Sequence, residues 1–153
     1  HLAENSTSLL DLGRAAGRQD EPRVLEDIGV ARARNVVRDQ LIEHLTRAIA
    51  DGSAPPAAGS MIRLVRAQNA WMQSDTALRV AAGAAVAGPS GDDPLARVGV
   101  DYLFRAAWSL AGGSTEMARN IISERVLGMP REHAADRGVP FNQVNRGRRG
   151  AGS

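Results

Sequence analysis

The chain contains no cysteine, which excludes a disulfide framework, a thiolate zinc site and a cysteine nucleophile together. Lysine is absent as well: all 19 basic residues are arginine. Histidine occurs only at His1, His44 and His133, spaced too widely to point to a histidine metal site. No apolar run approaches the roughly 20 residues that a membrane-spanning helix needs. The first residues lack a basic-then-apolar export pattern. The expectation is a cytoplasmic protein with no metal and no membrane partner. Aromatic residues are 3% of the 153, too few for the stacking platforms that hold nucleic acid strands.

The positive charge is local. From residue 137 onward there are four arginines (Arg137, Arg146, Arg148, Arg149) and no acid. Residues 1–136 carry 15 arginines against 17 acids. A nucleic-acid partner would therefore rest on the tail alone, and none is expected.

Alanine (26) and glycine (16) are abundant, and 43% of residues are hydrophobic, enough for one buried core. No segment alternates with period two, whereas three- and four-residue spacings recur between Gly, Pro and Asp punctuation. A first helix spans about 3–17, with Leu9, Leu10 and Leu12, and stops at Gly17. Asp20 as capping acid with Pro22 starts a second over about 22–50. Its stripe is Val30, Val37, Leu41, Leu45 and Ala48. The third, about 59–87, shows Leu64, Ala67, Trp71, Leu78, Ala81 and Ala85 on one face and ends in small residues that need close neighbours. The fourth, about 94–110, aligns Leu95, Val98, Tyr102 and Ala106. A short fifth covers 115–127, closed by Gly128 and Pro130. These segments predict an all-α, antiparallel up-down four-helix bundle over 1–133, followed by a flexible basic tail over 134–153.

One stretch carries chemistry: Gly112-Gly113-Ser114-Thr115-Glu116 leading into Met117-Ala118-Arg119-Asn120-Ile121-Ile122-Ser123-Glu124-Arg125-Val126-Leu127-Gly128-Met129-Pro130-Arg131. Glycines let a ligand approach the backbone, and a helix amino end favours an anion or nucleotide. A plain helix start, capped by Ser114 or Thr115 with Glu116 in the first turn, accounts for the same residues.

The stretch resembles the C-terminal signature of the acyl-CoA dehydrogenases: Gly-Gly-Thr-Ser-Glu-Ile-Gln-Arg-Asn-Ile-Ile-Ala-Glu-Arg-Val-Leu-Gly-Leu-Pro-Arg. Ser114-Thr115 replaces Thr-Ser, Met117 replaces Ile, Ala118 replaces Gln and Ser123 replaces Ala. Weaker, collinear similarity to actinobacterial-type members includes Leu9 to Gly17 and Asp20 with Pro22. The resemblance implies the C-terminal helical domain of a three-part enzyme whose N-terminal and middle domains are not in this sequence. It implies FAD, an acyl-CoA substrate oxidised to the 2-enoyl-CoA, an electron-transfer flavoprotein as acceptor, and a homo- or hetero-oligomer, dimeric or tetrameric. Gly113, Ser114, Thr115 and Glu116 match the loop and helix start that contact FAD.

Two departures stand out. Many members carry the catalytic glutamate where this chain has Gly112, which cannot take a proton. Other members place the base as Glu-Arg at the start of the first bundle helix, and Glu4 is followed by Asn5. No catalytic residue is therefore assigned. In addition, the Arg-x-x-Phe-Gly and Gln-x-x-Gly-Gly stretches that serve the flavin diphosphate are replaced by Arg18-Gln19-Asp20-Glu21-Pro22 and Arg79-Val80-Ala81-Ala82-Gly83. Taken alone, the chain is expected to be inactive and to retain no FAD. The rival reading is a non-catalytic subunit or oligomerisation module. A second rival, a nucleic-acid or regulatory module, would use the arginine tail and bind salt-sensitively. Trp71 and Trp108 fit packing better than ring stacking, His44 reads as partly exposed, and Glu43 with Arg47 reads as a surface ion pair.

Overall fold

The computed structural model describes residues 8–86, 93–110, 113–131 and 138–143. Among them every regular element is helical. The α-helices are α1 (Leu9–Ala15), α2 (Pro22–Ala50), α3 (Gly59–Ala81), α4 (Pro94–Phe104) and α5 (Thr115–Ile121). Shorter 3-10 turns occupy Pro56–Ala58, Ala82–Val86, Arg105–Ser109 and Phe141–Gln143, and a π turn occupies Ile122–Val126.

Local chemistry sets these boundaries. Ser8 caps α1, its Oγ accepting from the Asp11 N–H at 3.1 Å. Gly17, at φ +66°, turns the chain away. Pro22 opens α2 as expected, but Asp20 is not its cap. Glu21 stands at that position and makes no side-chain capping bond. Its carboxylate is drawn instead to Arg18, at 2.7 and 2.8 Å, while Asp20 accepts from the Gln19 side chain.

The third helix stops at Ala81, short of the expected 87. Ala82 takes φ +49°, and the Arg18 guanidinium donates to the Arg79 and Val80 carbonyls at 2.8 and 3.1 Å. These are orphan acceptors of a helix end, so the arginine closes α3 from outside. The expected fourth helix likewise tightens into a 3-10 turn after Phe104, where Arg105 donates to the Tyr102 carbonyl at 2.7 Å. After Ile121 the last helix widens: the Leu127 N–H reaches back five residues to the Ile122 carbonyl, at 3.0 Å.

α3 is the hub, packing on α1, α2, α4 and α5. One hydrophobic cluster gathers Leu12, Val24, Val80, Ala81, Ala85, Leu95 and Val98. It sits where α1, the start of α2, the end of α3 and the start of α4 meet. Of the small residues expected to be tightly surrounded, Ala81 and Ala85 are buried at 1% and 6% exposure and Ala84 is half-buried, but Ala82 and Gly83 are exposed, because the chain leaves the helix at Ala82. A Cβ on Gly99 would lie 2.3 Å from the Ala85 carbonyl oxygen, so glycine is required for α4 to approach that turn.

The expected stripe of α2 holds in its second half, where Leu45 is buried and Leu41 and Ala48 are half-buried. In the first half Val24 and Ala31 are buried instead, and Val30 and Val37 are exposed. The reason is polar. Asn35 Oδ1 accepts from Asn69 Nδ2 at 2.9 Å and from Gln73 Nε2 at 3.0 Å, with Gln73 also 3.3 Å from the Ala31 carbonyl. Asp27 meets Arg79 at 3.2 Å in the same interface. These pairs step in opposite directions along α2 and α3. In α4, Leu95 and Val98 are buried and Tyr102 half-buried as expected, but Ala106 is exposed because it falls in the 3-10 turn.

Candidate functional site

Gly113 adopts φ +107°, a conformation that side chains strain to reach. It is exposed, and among the described residues a Cβ there would meet Arg63 Nε at 4.0 Å and nothing nearer. Its N–H donates to the Leu110 carbonyl at 3.1 Å, closing the approach to α5. Ser114 follows as the N-cap, its Oγ accepting from the Met117 N–H at 3.1 Å, while the Ala118 N–H reaches the Ser114 carbonyl. Of the two candidate caps, Ser114 therefore performs the role. Thr115 is buried, 8% exposed, and its hydroxyl donates to Glu116 Oε1 at 3.0 Å.

Glu116 is exposed, and its carboxyl is held below the ordinary range. The backbone N–H of Glu116 itself contributes most, then the Thr115 and Ser114 hydroxyls, with Arg119 adding attraction. Desolvation opposes the shift. The four residues singled out from sequence thus form one turn and helix start, exposed at Gly113 and Glu116, half-buried at Ser114 and buried at Thr115. Two features of this start bear on a ligand. The Met117 N–H is already satisfied, and a carboxylate stands at the positive end of the helix. An anionic diphosphate would meet repulsion there. Hydroxyl or amino groups, as on a ribose or an adenine, would meet a strong acceptor.

Gly112, which the resemblance aligns with the base of many members, lies outside the described residues, as do Glu4, His133 and the arginines of the tail. Arg18 and Arg79 are placed, and both are engaged within the fold: Arg18 with Glu21 and the end of α3, Arg79 with Asp27 and Thr76. His44 is exposed. Glu43 pairs with Arg47 as expected. Among the described residues no group of three or more His, Asp or Glu side chains converges in a way that could hold a metal ion. No described helix is long and apolar enough to cross a membrane.

Sequence reading missed a second cluster. Arg105 lies over the Tyr102 ring at 3.6 Å and the Trp71 ring at 5.0 Å, with Asp75 3.5 Å from its Nε. Trp71 Nε1 donates to Ser109 Oγ at 2.8 Å. The Trp71, Asp75 spacing of four was a legible signal, since it places both side chains on one face of α3.

Comparison with known proteins links part of the chain to acyl-CoA dehydrogenases. A stretch of 31 residues, 20% of the chain, is 64% identical to acyl-CoA dehydrogenase IpdE1 of Mycobacterium tuberculosis. The same identity over the same length relates it to acyl-CoA dehydrogenase IpdE1 of Mycolicibacterium smegmatis. The matched stretch spans 8% of the length of each of these relatives. No family model matches the chain, and no solved structure matches it significantly.

Proposed function

We propose that this chain is the C-terminal helical domain of a flavin-dependent acyl-CoA dehydrogenase, with the topology of an antiparallel four-helix bundle. The observation that carries the reading is the 64% identity to acyl-CoA dehydrogenases. The open turn over 113–116 is compatible with it. In this reading Gly113 lets the nucleotide come close, Ser114 and Thr115 fix the helix start, and the Glu116 carboxylate accepts from ribose or adenine groups of FAD. FAD, when bound, supplies the acceptor for the hydride that leaves the acyl chain. The substrate is an acyl-CoA thioester, its product the 2-enoyl-CoA, and the electrons pass to an electron-transfer flavoprotein. The chain's own share is to contact flavin and to join subunits in an oligomer. The residue that removes the α-proton is not assigned to it.

The test is Glu116→Ala in the complete dehydrogenase. Flavin retention falls if the carboxylate holds the nucleotide. Full retention would return Glu116 to a capping role. The chain alone, mixed with FAD, is expected to give no stable yellow complex.

Gly112 favours a second reading, in which the chain belongs to a non-catalytic subunit of a heteromeric enzyme. That subunit would restore turnover to a catalytic partner while showing none by itself.

A further inference from the structure

The 3-10 turn Arg105–Ser109 contains no buried residue: Ala106, Ala107 and Trp108 are exposed, and Arg105 and Ser109 are half-buried. Hydrophobic burial therefore does not anchor it. What joins it to α3 is polar. Trp71 Nε1 donates to Ser109 Oγ at 2.8 Å, and Arg105 is held between Trp71, Tyr102 and Asp75. A planar guanidinium stacked on aromatic faces and paired with a carboxylate is a directional tie that lysine would not reproduce.

This turn leads directly into the candidate flavin turn. Ser109 is four residues ahead of Gly113, and the Leu110 carbonyl accepts from the Gly113 N–H at 3.1 Å. Four residues reach at most about 14 Å when fully extended. A continuous path therefore runs from α3 through Ser109 and Leu110 to Gly113 and the Ser114 cap. α5 is itself seated on α3, with Thr115 and Ala118 buried.

We propose that Trp71, Arg105 and Ser109 are positioning residues that tie the approach to the 113–116 turn onto α3 and so hold that turn in its open conformation. The step from there to flavin rests on the reading given under Proposed function.

Amide hydrogen exchange in the full chain tests the tie. Ser109→Ala removes the acceptor and is expected to speed exchange at residues 113–118 by roughly 2- to 10-fold, the yield of one hydrogen bond. Exchange at 24–45 of α2 should stay unchanged. Ser109→Thr keeps the hydroxyl and should restore slow exchange. Trp71→Phe keeps a ring, loses the donor, and should reproduce the Ser109→Ala pattern. Unchanged exchange at 113–118, or equal acceleration in α2, overturns the tie. In the complete flavoprotein, Ser109→Ala should also lower flavin occupancy. Faster exchange with unchanged occupancy would leave the tie standing and overturn the flavin reading.

Discussion

The two ends of this helical assembly are built by different means. At one end, Leu12, Val24, Val80, Ala81, Ala85, Leu95 and Val98 form a dry cluster of mostly small side chains. Backbones approach there until Gly99 is the only residue type that fits against the Ala85 carbonyl. At the other, Leu103, Phe104 and Leu110 are 76%, 69% and 68% exposed, and the chain is held by hydrogen bonds, ring contacts and one ion pair. The contrast teaches that stability and the candidate function are separated. Close packing concentrates where no ligand is proposed, and the open turn sits beyond a segment tied by polar groups. Such a segment opens at lower free energy than a packed core.

Breaking the contrast starts at the packed end. Val80→Ala leaves a cavity at a fully buried site and should cost about 2–3 kcal/mol in denaturant unfolding. A smaller loss contradicts the packed cluster. Gly99→Ala places a methyl group against backbone that cannot give way, for about 1–3 kcal/mol. Asn35→Ala strips the acceptor from Asn69 and Gln73 and should cost about 1–2 kcal/mol, measured the same way. Ala82→Gly relieves a positive φ and should raise stability by about 0.5–1 kcal/mol. At the open end, Leu103→Ser removes no buried contact and should fall within about 0.5 kcal/mol of the parent.

Acid sharpens the picture further. The folded state depresses the carboxyl pKa values of Asp11, Glu21, Asp51 and Glu116. Their contribution is complete above the unfolded values and is lost as pH falls through the folded ones. The melting temperature should therefore decline as pH drops below about 4, and Glu116→Gln should make that decline shallower. An identical acid profile would contradict the carboxylate's place at the helix start.

Sequence made the long elements legible where punctuation was strong. Pro22 and the Asp51-Gly52 break bound α2 as expected, and Gly17, Gly113 and Gly128 all take positive φ. It failed where tertiary partners decide. The end of α3 depends on Arg18, distant in sequence by more than sixty residues. In the first half of α2, Asn35 is bonded to the amides of Asn69 and Gln73 and Val30 and Val37 lie outward, whereas the expected Leu45 is buried in the second half. Asp20 is not the cap because α2 begins at Pro22, which puts Glu21 at that position, and Glu21 is paired with Arg18. Of the candidate site, Ser114 as cap and Gly113 as turn were legible, while the Trp71, Arg105 and Ser109 ties were not. The spacing of Trp71 and Asp75 put both on one face of α3, but nothing local to either named Arg105 or Ser109, thirty or more residues on, as the partners.

The most direct measurement is amide exchange at residues 113–118 in the complete flavoprotein, before and after FAD is stripped. Exchange is expected to be slow with flavin bound and faster without it, with α2 unaffected. Identical exchange in both states would contradict contact between this turn and the cofactor.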